Sequence, residues 1–320
     1  MQNKSIKLRV VFMGTSSFAD TILAALITEK YNLISVYTQG DKKVGRTQKL
    51  QKTAVKITAE NNKIPVYSPI KFGEKEIQEL KDQKPDLLIV AAYGKILPQA
   101  VLDLPGFGAI NVHASLLPHY RGPSPIQNSI LDGGKETGVT IMLMDNGIDT
   151  GEILSQEKIE ILPNETSVEL SDKMAKQSIP LLLDTIFLWV ERKISPKPQD
   201  NTSASLCQLI ERSDGKIVWL NDAQAIYDQY RAFYSWPGIF TYWQRSDTNL
   251  RIKINKLSLG KNLSFGNYQL GEVFRSNEKV AVQAGVGIIF LEEIQLEGKS
   301  NLKIDDFLNG NPSFVGSILK

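Results

Sequence analysis

Asn111 and His113 stand two residues apart in a short apolar run, Gly108 to His113, that reads as a buried strand leading into a turn. Residues two apart on a strand share a face, so the amide and the imidazole project to the same side. A second apolar run, Val139 to Met144, leads into Asp145-Asn146-Gly147-Ile148-Asp149-Thr150-Gly151, a glycine-rich turn with a carboxylate at Asp149. An amide, an imidazole and a carboxylate just past the ends of two strands suit acyl transfer to an amine without a covalent enzyme intermediate. Asn111 can donate an N–H to a carbonyl oxygen as negative charge grows there. His113 as imidazolium adds a second donor, and Asp149 can take a proton from the attacking ammonium while pairing with His113. No nucleophile is evident, because Cys207 is remote in sequence and Ser115 has only His119 as a further histidine nearby. A Ser–His–Asp arrangement is the weaker reading. The bland alternative is an ordinary core histidine with Asn and Asp serving turns, as these residues commonly do.

The elements that must position these groups follow from hydrophobic period. Lys7 to Met13 reads as a strand, Phe18 to Thr28 as a helix capped by Ser17 or Thr15, and Leu33 to Tyr37 as a second strand. That β-α-β opening is the signal of a parallel sheet. Asp86 to Ala92 is a continuous buried strand, followed by Tyr93-Gly94-Lys95-Ile96-Leu97, where a glycine turn flanked by apolar side chains suits a flat heterocycle. Arg121 to Leu131 opens a helix. Glu152 to Ile161 alternates like a strand, and Ser167 to Val190 is a long helix interrupted or kinked at Pro180. Lys193 to Ser203 is rich in Pro and polar residues and reads as an extended linker. Beyond it come a strand at Lys216–Trp219, a helix capped by Asn221-Asp222, and five short strands with glycine turns, the pattern of a small OB-like barrel. The expected organisation is α/β. A Rossmann-like, mostly parallel domain spans 1–192, a linker 193–204, and an OB-like β-barrel domain 205–320.

Composition narrows the function classes. With 37 Lys and Arg against 35 Asp and Glu in 320 residues, the +2 balance predicts neither a bulk polyanion binder nor a membrane-surface protein. One cysteine forbids an internal disulfide and fits a cytoplasmic protein. The first residues lack a signal-peptide core, and no apolar run approaches a membrane span. Two histidines and one cysteine are too few for a structural zinc site, so no metal is expected. Gly134-Lys135 fails the Walker pattern at Ser129 and Glu136, and only Gly14 follows the first strand where a dinucleotide fingerprint needs three glycines. Charge is concentrated locally. Gln39 to Lys56 carries Lys42, Lys43, Arg46, Lys49, Lys52 and Lys56 against Asp41, and reads either as a solvated loop or as an arm that meets phosphates. From Ser205 onward 13 cations face 12 carboxylates, yet Arg245, Arg251, Lys253, Lys256 and Lys261 cluster, with Arg251 and Lys253 on one face of their strand.

Three ordered blocks carry a family resemblance. They are Asn111-Val112-His113-x-Ser115-Leu116-Leu117-Pro118, then Arg121-Gly122-x-x-Pro125-Ile126-Gln127, then Thr137-Gly138-Val139-Thr140-Ile141-Met142 running to Asp149-Thr150-Gly151. Flanked by Gly14-Thr15-x-x-Phe18-Ala19, Ala92-Tyr93-Gly94-x-Ile96-Leu97-Pro98 and Ala232-Phe233-x-x-Trp236-Pro237, the chain resembles the folate-dependent formyltransferases. The resemblance implies 10-formyltetrahydrofolate as a consumed formyl donor and the α-amino group of initiator methionyl-tRNA as acceptor. It implies Asn111, His113 and Asp149 as the catalytic trio, and Ser115, Leu116, Leu117 and Pro118 with Tyr93, Gly94, Lys95, Ile96 and Leu97 as folate contacts. It also implies Arg46, Lys42, Lys43 and Lys49, with Arg251 and Lys253, as tRNA contacts, in a protein expected to act as a monomer. The chain departs from the family pattern at Ser16-Ser17, where Pro-Asp is usual, at Ala114, where glycine is common, and at Leu206 to Ser213, which lacks lysines.

Two other readings compete. A formyltransferase acting on another amine, such as an amino sugar, shares the core motif but leaves the cationic arm and second domain unexplained. A non-catalytic RNA-binding protein on the same fold would be expected to have lost the trio.

Overall fold

The computed structural model describes residues 7–44, 49–245, 247–260 and 268–320. Its first half is built around three strands, Val10–Gly14, Leu87–Ala91 and Ala109–His113, whose every residue is buried, the mark of a sheet covered on both faces. In chain order its elements are β1 (Val10–Gly14), α1 (Ser17–Thr28), β2 (Leu33–Tyr37), β3 (Lys42–Val44), β4 (Lys49–Gln51), α2 (Ala54–Asn61), β5 (Val66–Tyr67), α3 (Glu74–Asp82) and β6 (Leu87–Ala91). Then follow α4 (Gln99–Leu102), β7 (Ala109–His113), α5 (Pro125–Leu131), β8 (Glu136–Leu143), β9 (Ile153–Glu160) and α6 (Ser167–Val190). One seven-stranded sheet has the order β5-β2-β1-β6-β7-β8-β9. The pairs from β5 to β7 are parallel, and β7-β8 and β8-β9 are antiparallel. The mostly parallel, Rossmann-like expectation holds.

Local details depart from the sequence reading. The cap of α1 is Ser16, whose Oγ accepts from Ala19 N at 3.5 Å, rather than Ser17 or Thr15. Pro180 does not interrupt α6, which runs as one helix, and its Trp189 indole donates to the Phe107 carbonyl (2.8 Å) just before β7. A packed helix tolerates a proline where tertiary contacts outweigh the lost backbone bond. Lys216–Trp219 makes only an isolated bridge, Lys216 to Phe240, instead of a strand.

The chain forms two compact units. The first holds the described residues up to Pro125 with Glu136–Glu160 and Glu169–Gln208, and the second holds Ile126–Lys135, Ile161–Val168 and Leu209–Lys320. The 193–204 stretch expected as a linker thus lies inside the first unit. In the second unit come α7 (Ala223–Ala232), β10 (Ile239–Arg245), β11 (Thr248–Gly260), β12 (Val273–Ser276), β13 (Lys279–Gln283), β14 (Ile288–Leu296), β15 (Leu302–Lys303) and α8 (Ile304–Gly310). The antiparallel path is β10-β11-β14-β13-β12, with β15 on β14. The last residues join its two edges. Leu319 bridges Trp243 of β10, Ile318 bridges Glu272 before β12, and Tyr242 and Lys320 exchange two backbone bonds of 2.9 Å. Full closure is how a small β-domain disposes of its open edges, so the barrel expectation holds as well.

Candidate active site

β7 sits inside the sheet, and all five of its residues are buried. Asn111 and His113 are exposed by only 8% and 5%. The carboxylate arrives by a different route from the one expected. His113 pairs with Thr140, and Ile110 pairs with Leu143. Because β8 runs antiparallel, it ends beside the start of β7, at the opposite end from His113. The residues after β8 must therefore fold back over β7, instead of lying beyond a shared strand end. Several features turn the chain. Asp145 Oδ1 accepts from Gly147 N (3.0 Å) and from the Thr150 hydroxyl (2.8 Å), and Asp149 occupies the left-handed region at φ 51°. The returning chain passes so close to β8 that a Cβ on Gly151 would lie 1.8 Å from the Leu143 carbonyl oxygen.

That fold-back brings the trio together. Asn111 Nδ2 donates to Asp149 Oδ1 at 3.3 Å, Gly122 N donates to Asp149 Oδ2 at 2.9 Å, and His113 Nδ1 lies 3.6 Å from Asp149 Oδ2. His113 Nε2 is 3.0 Å from the Tyr120 carbonyl. A carbonyl can only accept, so Nε2 carries a proton and Nδ1 is the ring nitrogen that faces the carboxylate. The amide of Asn111 has a second N–H to offer. The arrangement therefore holds a polarised donor and a proton acceptor side by side.

The Ser115–Pro118 segment hangs from the antiparallel strands. Thr140 Oγ1 donates to Ser115 O (2.6 Å) and accepts from Leu117 N (3.1 Å) and from Gln156 Nε2 (2.9 Å). Gln156 Nε2 also donates to Leu117 O at 2.8 Å. Ser115 is fully buried and its hydroxyl donates to His119 O (2.6 Å), so its side chain is committed within the segment. Leu116 packs over Gly138, where a Cβ would come within 2.4 Å of its Cδ2. Thr140 stood in the Thr137–Met142 block without a role of its own, and Gln156 was not singled out from sequence and carries no motif signal.

The Tyr93–Leu97 loop is pinned from β1 and β2. Thr15 Oγ1 and Gln39 Nε2 both donate to Tyr93 O, at 2.9 and 3.0 Å. Gly94 has φ 71°, and a Cβ there would meet Gln39 Nε2 at 2.5 Å. Leu97 is buried whereas Ile96 is presented to solvent. Burial pushes the Tyr93 hydroxyl up to about 12, and it has no hydrogen-bond partner among the described residues. Lys95 is committed elsewhere: its Nζ donates to the Pro69 and Ile70 carbonyls, and desolvation holds it below the ordinary lysine range. An orphaned buried hydroxyl, a left-handed glycine and an exposed apolar side chain fit a flat polar heterocycle.

Cys207 is buried, its thiol donating to the Arg121 carbonyl (3.3 Å) and pushed up chiefly by desolvation. A buried thiol of this kind is a packing group and not a nucleophile.

The cations fall in two places. Lys42, Lys43 and Lys49 lie exposed on the separate β3-β4 hairpin, with Lys42 opposite Gln51 and Lys43 opposite Leu50. Among the described residues no ion pair engages these three, whereas Lys52 pairs with Glu60 and Lys56 with Asp41. Arg46 lies outside the described residues, as does Lys261. In the second unit, Arg251 and Lys253 share a face of β11 while Ile252 and Ile254 point into the core. The Arg251 guanidinium lies 3.8 Å above the Phe240 ring. Lys253 lines a cleft of about 310 Å³ with Tyr230, Phe233 and Tyr234.

Sequence comparison makes the chain a formyltransferase. Residues 7–186 match the formyl transferase family and residues 209–312 the formyl transferase C-terminal domain, and the chain belongs to that family. A methionyl-tRNA formyltransferase of Caldicellulosiruptor saccharolyticus is 42% identical over 314 residues, 97% of this chain and 99% of the relative. One of Caldanaerobacter subterraneus subsp. tengcongensis is 38% identical over 315 residues, covering 98% and 100%. Among solved structures, an N-formyltransferase from Helicobacter canadensis with folinic acid and dTDP-3-aminofucose superposes with TM-score 0.64 at 22% identity, covering 89% of this chain and 98% of that one. HypX from Aquifex aeolicus with tetrahydrofolic acid gives TM-score 0.64 at 14% identity, with 94% of this chain matching 47% of that one. At such identities the structural likeness establishes the shared fold alone. No helix among the described residues is long and apolar enough to cross a membrane.

Proposed function

We propose that this enzyme transfers a formyl group from 10-formyltetrahydrofolate to the α-amino group of initiator methionyl-tRNA, in the cytoplasm where translation starts. The observation that carries the reading is the convergence of Asn111, His113 and Gly122 N–H on the Asp149 carboxylate, in a chain whose full-length relatives bear the name of this reaction.

Tyr93–Leu97 and Ser115–Pro118 would hold the folate, which when bound supplies an N-formyl carbon and, as its C–N bond breaks, a nitrogen that takes up a proton. Asn111 offers its second Nδ2–H to the carbonyl oxygen as negative charge grows there, the interaction that favours the transition state over the ground state. Asp149 accepts the proton that the amine sheds on attack. His113 contributes mainly through Nδ1 beside Asp149, because Nε2 is engaged by the Tyr120 carbonyl. The lysines of the β3-β4 hairpin, which form no ion pair among the described residues, with Arg46, and the Arg251–Lys253 face are the proposed phosphate contacts, and they make acceptor binding sensitive to salt.

The test supplies 10-formyltetrahydrofolate with either charged initiator tRNA or a nucleotide-linked amino sugar. Formylated aminoacyl-tRNA, formed at a rate that drops as salt rises, is the expected product. Formylation of the sugar amine with an inert tRNA would replace the acceptor while leaving the formyl-transfer chemistry in place.

A further inference from the structure

We propose that Gln199 is a positioning residue of the reaction, its side-chain amide holding the Asp149 loop so that the carboxylate stays on Asn111 and His113. The inference rests on the reading of Asp149 as proton acceptor and adds to it the group that keeps Asp149 in place.

The geometry is specific. Gln199 Nε2 donates to the carbonyls of Asp149 (2.9 Å) and Gly151 (2.7 Å). Its Oε1 accepts from Arg121 Nε (2.9 Å) and Nη2 (2.8 Å). All four hydrogen-bonding positions of the amide are used, and its orientation is fixed by chemistry: carbonyls can only accept and a guanidinium can only donate. Arg121 is itself buried, and its Nη2 also donates to Asn201 Oδ1 at 2.8 Å. Backbone bonds tie the surrounding strap to the same unit, with Ile153 and Lys197 exchanging two (2.8 and 2.9 Å), Arg121 N donating to Ser205 O (2.9 Å) and Cys207 N to Arg121 O (2.8 Å).

The Asp149 loop needs such a support. It turns through Asp149 at φ 51°, a left-handed conformation uncommon for any residue with a side chain, although Asp is among those that adopt it most readily. Its carboxylate is held at the far end by Gly122 N–H. Gly122 in turn has φ 120° and lies so close to Cys207 that a Cβ would sit 2.4 Å from that carbonyl oxygen. One strap, residues 197–207, therefore braces both the loop that bears the carboxylate and the turn whose N–H receives it. Small displacements of a reacting group are costly to rate, about 10²-fold for roughly 1 Å.

Steady-state kinetics with both substrates, alongside thermal melts, test the role. Gln199→Ala is expected to lower kcat by about tenfold or more, with both KM values near wild type and the unfolding midpoint little changed. Gln199→Glu separates positioning from simple satisfaction of Arg121. It keeps an acceptor for the guanidinium but has no N–H for the two carbonyls, so its kcat is expected to fall as far. Wild-type kcat in Gln199→Glu, or a change confined to KM in Gln199→Ala, overturns the proposal. Should Gln199→Ala melt below the assay temperature, Gln199→Glu decides alone. Asp149→Asn run in parallel distinguishes the two failures: an inactive Asp149→Asn beside active Gln199 variants overturns only the positioning role, and an active Asp149→Asn overturns the reading beneath it.

Discussion

At the scale of single residues, Asn111 and Asp149 touch each other, yet their proposed tasks differ, and the difference is measurable. Asp149→Asn keeps the shape of the side chain and removes its capacity to take a proton. Its expected effect is a loss of about 10²-fold or more in kcat, with affinity for the formyl donor close to wild type. Asn111→Ala removes a donor to the carbonyl oxygen, for which about 10²–10³ in kcat is the usual cost. Because Asn111 also donates to Asp149, the double variant should lose less than the product of the single losses. Strict multiplication of the two effects would mean that the residues act independently, against the three-way contact around Asp149. His113 enters the same network from the opposite side of the carboxylate, and its Nε2 bond to the Tyr120 carbonyl sets which ring nitrogen faces it.

At the scale of elements, the antiparallel pair β8-β9 does more than extend the sheet. Its Thr140 and Gln156 suspend Ser115–Pro118 by three hydrogen bonds and are tied to each other by a fourth, and its Gly138 leaves room for Leu116. A Cβ at Gly138 would lie 2.2 Å from the Glu157 carbonyl oxygen as well as against Leu116, so a strand must shift and not merely a side chain. Gly138→Ala is expected to cost about 1–3 kcal/mol of stability and to raise KM for the formyl donor more than it lowers kcat. A variant with unchanged donor KM would remove Leu116–Pro118 from the folate contacts. Much of this arrangement is legible from period alone. Asn111 and His113 share a face because strands alternate, and the Asp145–Gly151 turn announces itself by composition. What period cannot convey is strand direction, and the antiparallel course of β8 is what forces Asp149 to fold back over β7. Gln199 was less visible still. Its partner Asp149 is 50 residues away, and the Pro-rich stretch around it has no hydrophobic period, so it reads as a linker although the Gln199 amide is fully engaged. Ser16, one residue from the expected cap, shows the ordinary imprecision of helix ends.

At the scale of the whole molecule, the two units carry separate polar anchors, and this allows their stabilities to be probed one at a time. In the second unit Arg231 and Asp228 form an ion pair of 2.5 Å with both side chains 5% exposed, and Arg231 Nη1 also donates to Glu165 O at 2.9 Å. Every partner in this cluster belongs to that unit. Arg231→Met would strand the Asp228 charge in the interior, for which about 3–5 kcal/mol is the usual cost. Replacing both partners, Asp228→Leu with Arg231→Met, removes the stranded charge and should recover most of that loss, since a buried pair is often no better than well-packed apolar groups. Of the four tryptophans, Trp219, Trp236 and Trp243 lie in the second unit and Trp189 in the first, so tryptophan fluorescence reports chiefly on the second unit. Binding of the formyl donor reports on the first. If the units are energetically separable, Arg231→Met shifts the fluorescence transition to lower temperature while donor binding persists above it, and tRNA formylation fails with the fluorescence. Loss of donor binding at the same shifted midpoint would show that the units unfold as one, making the barrel a structural requirement of the catalytic sheet as well as the proposed carrier of tRNA contacts.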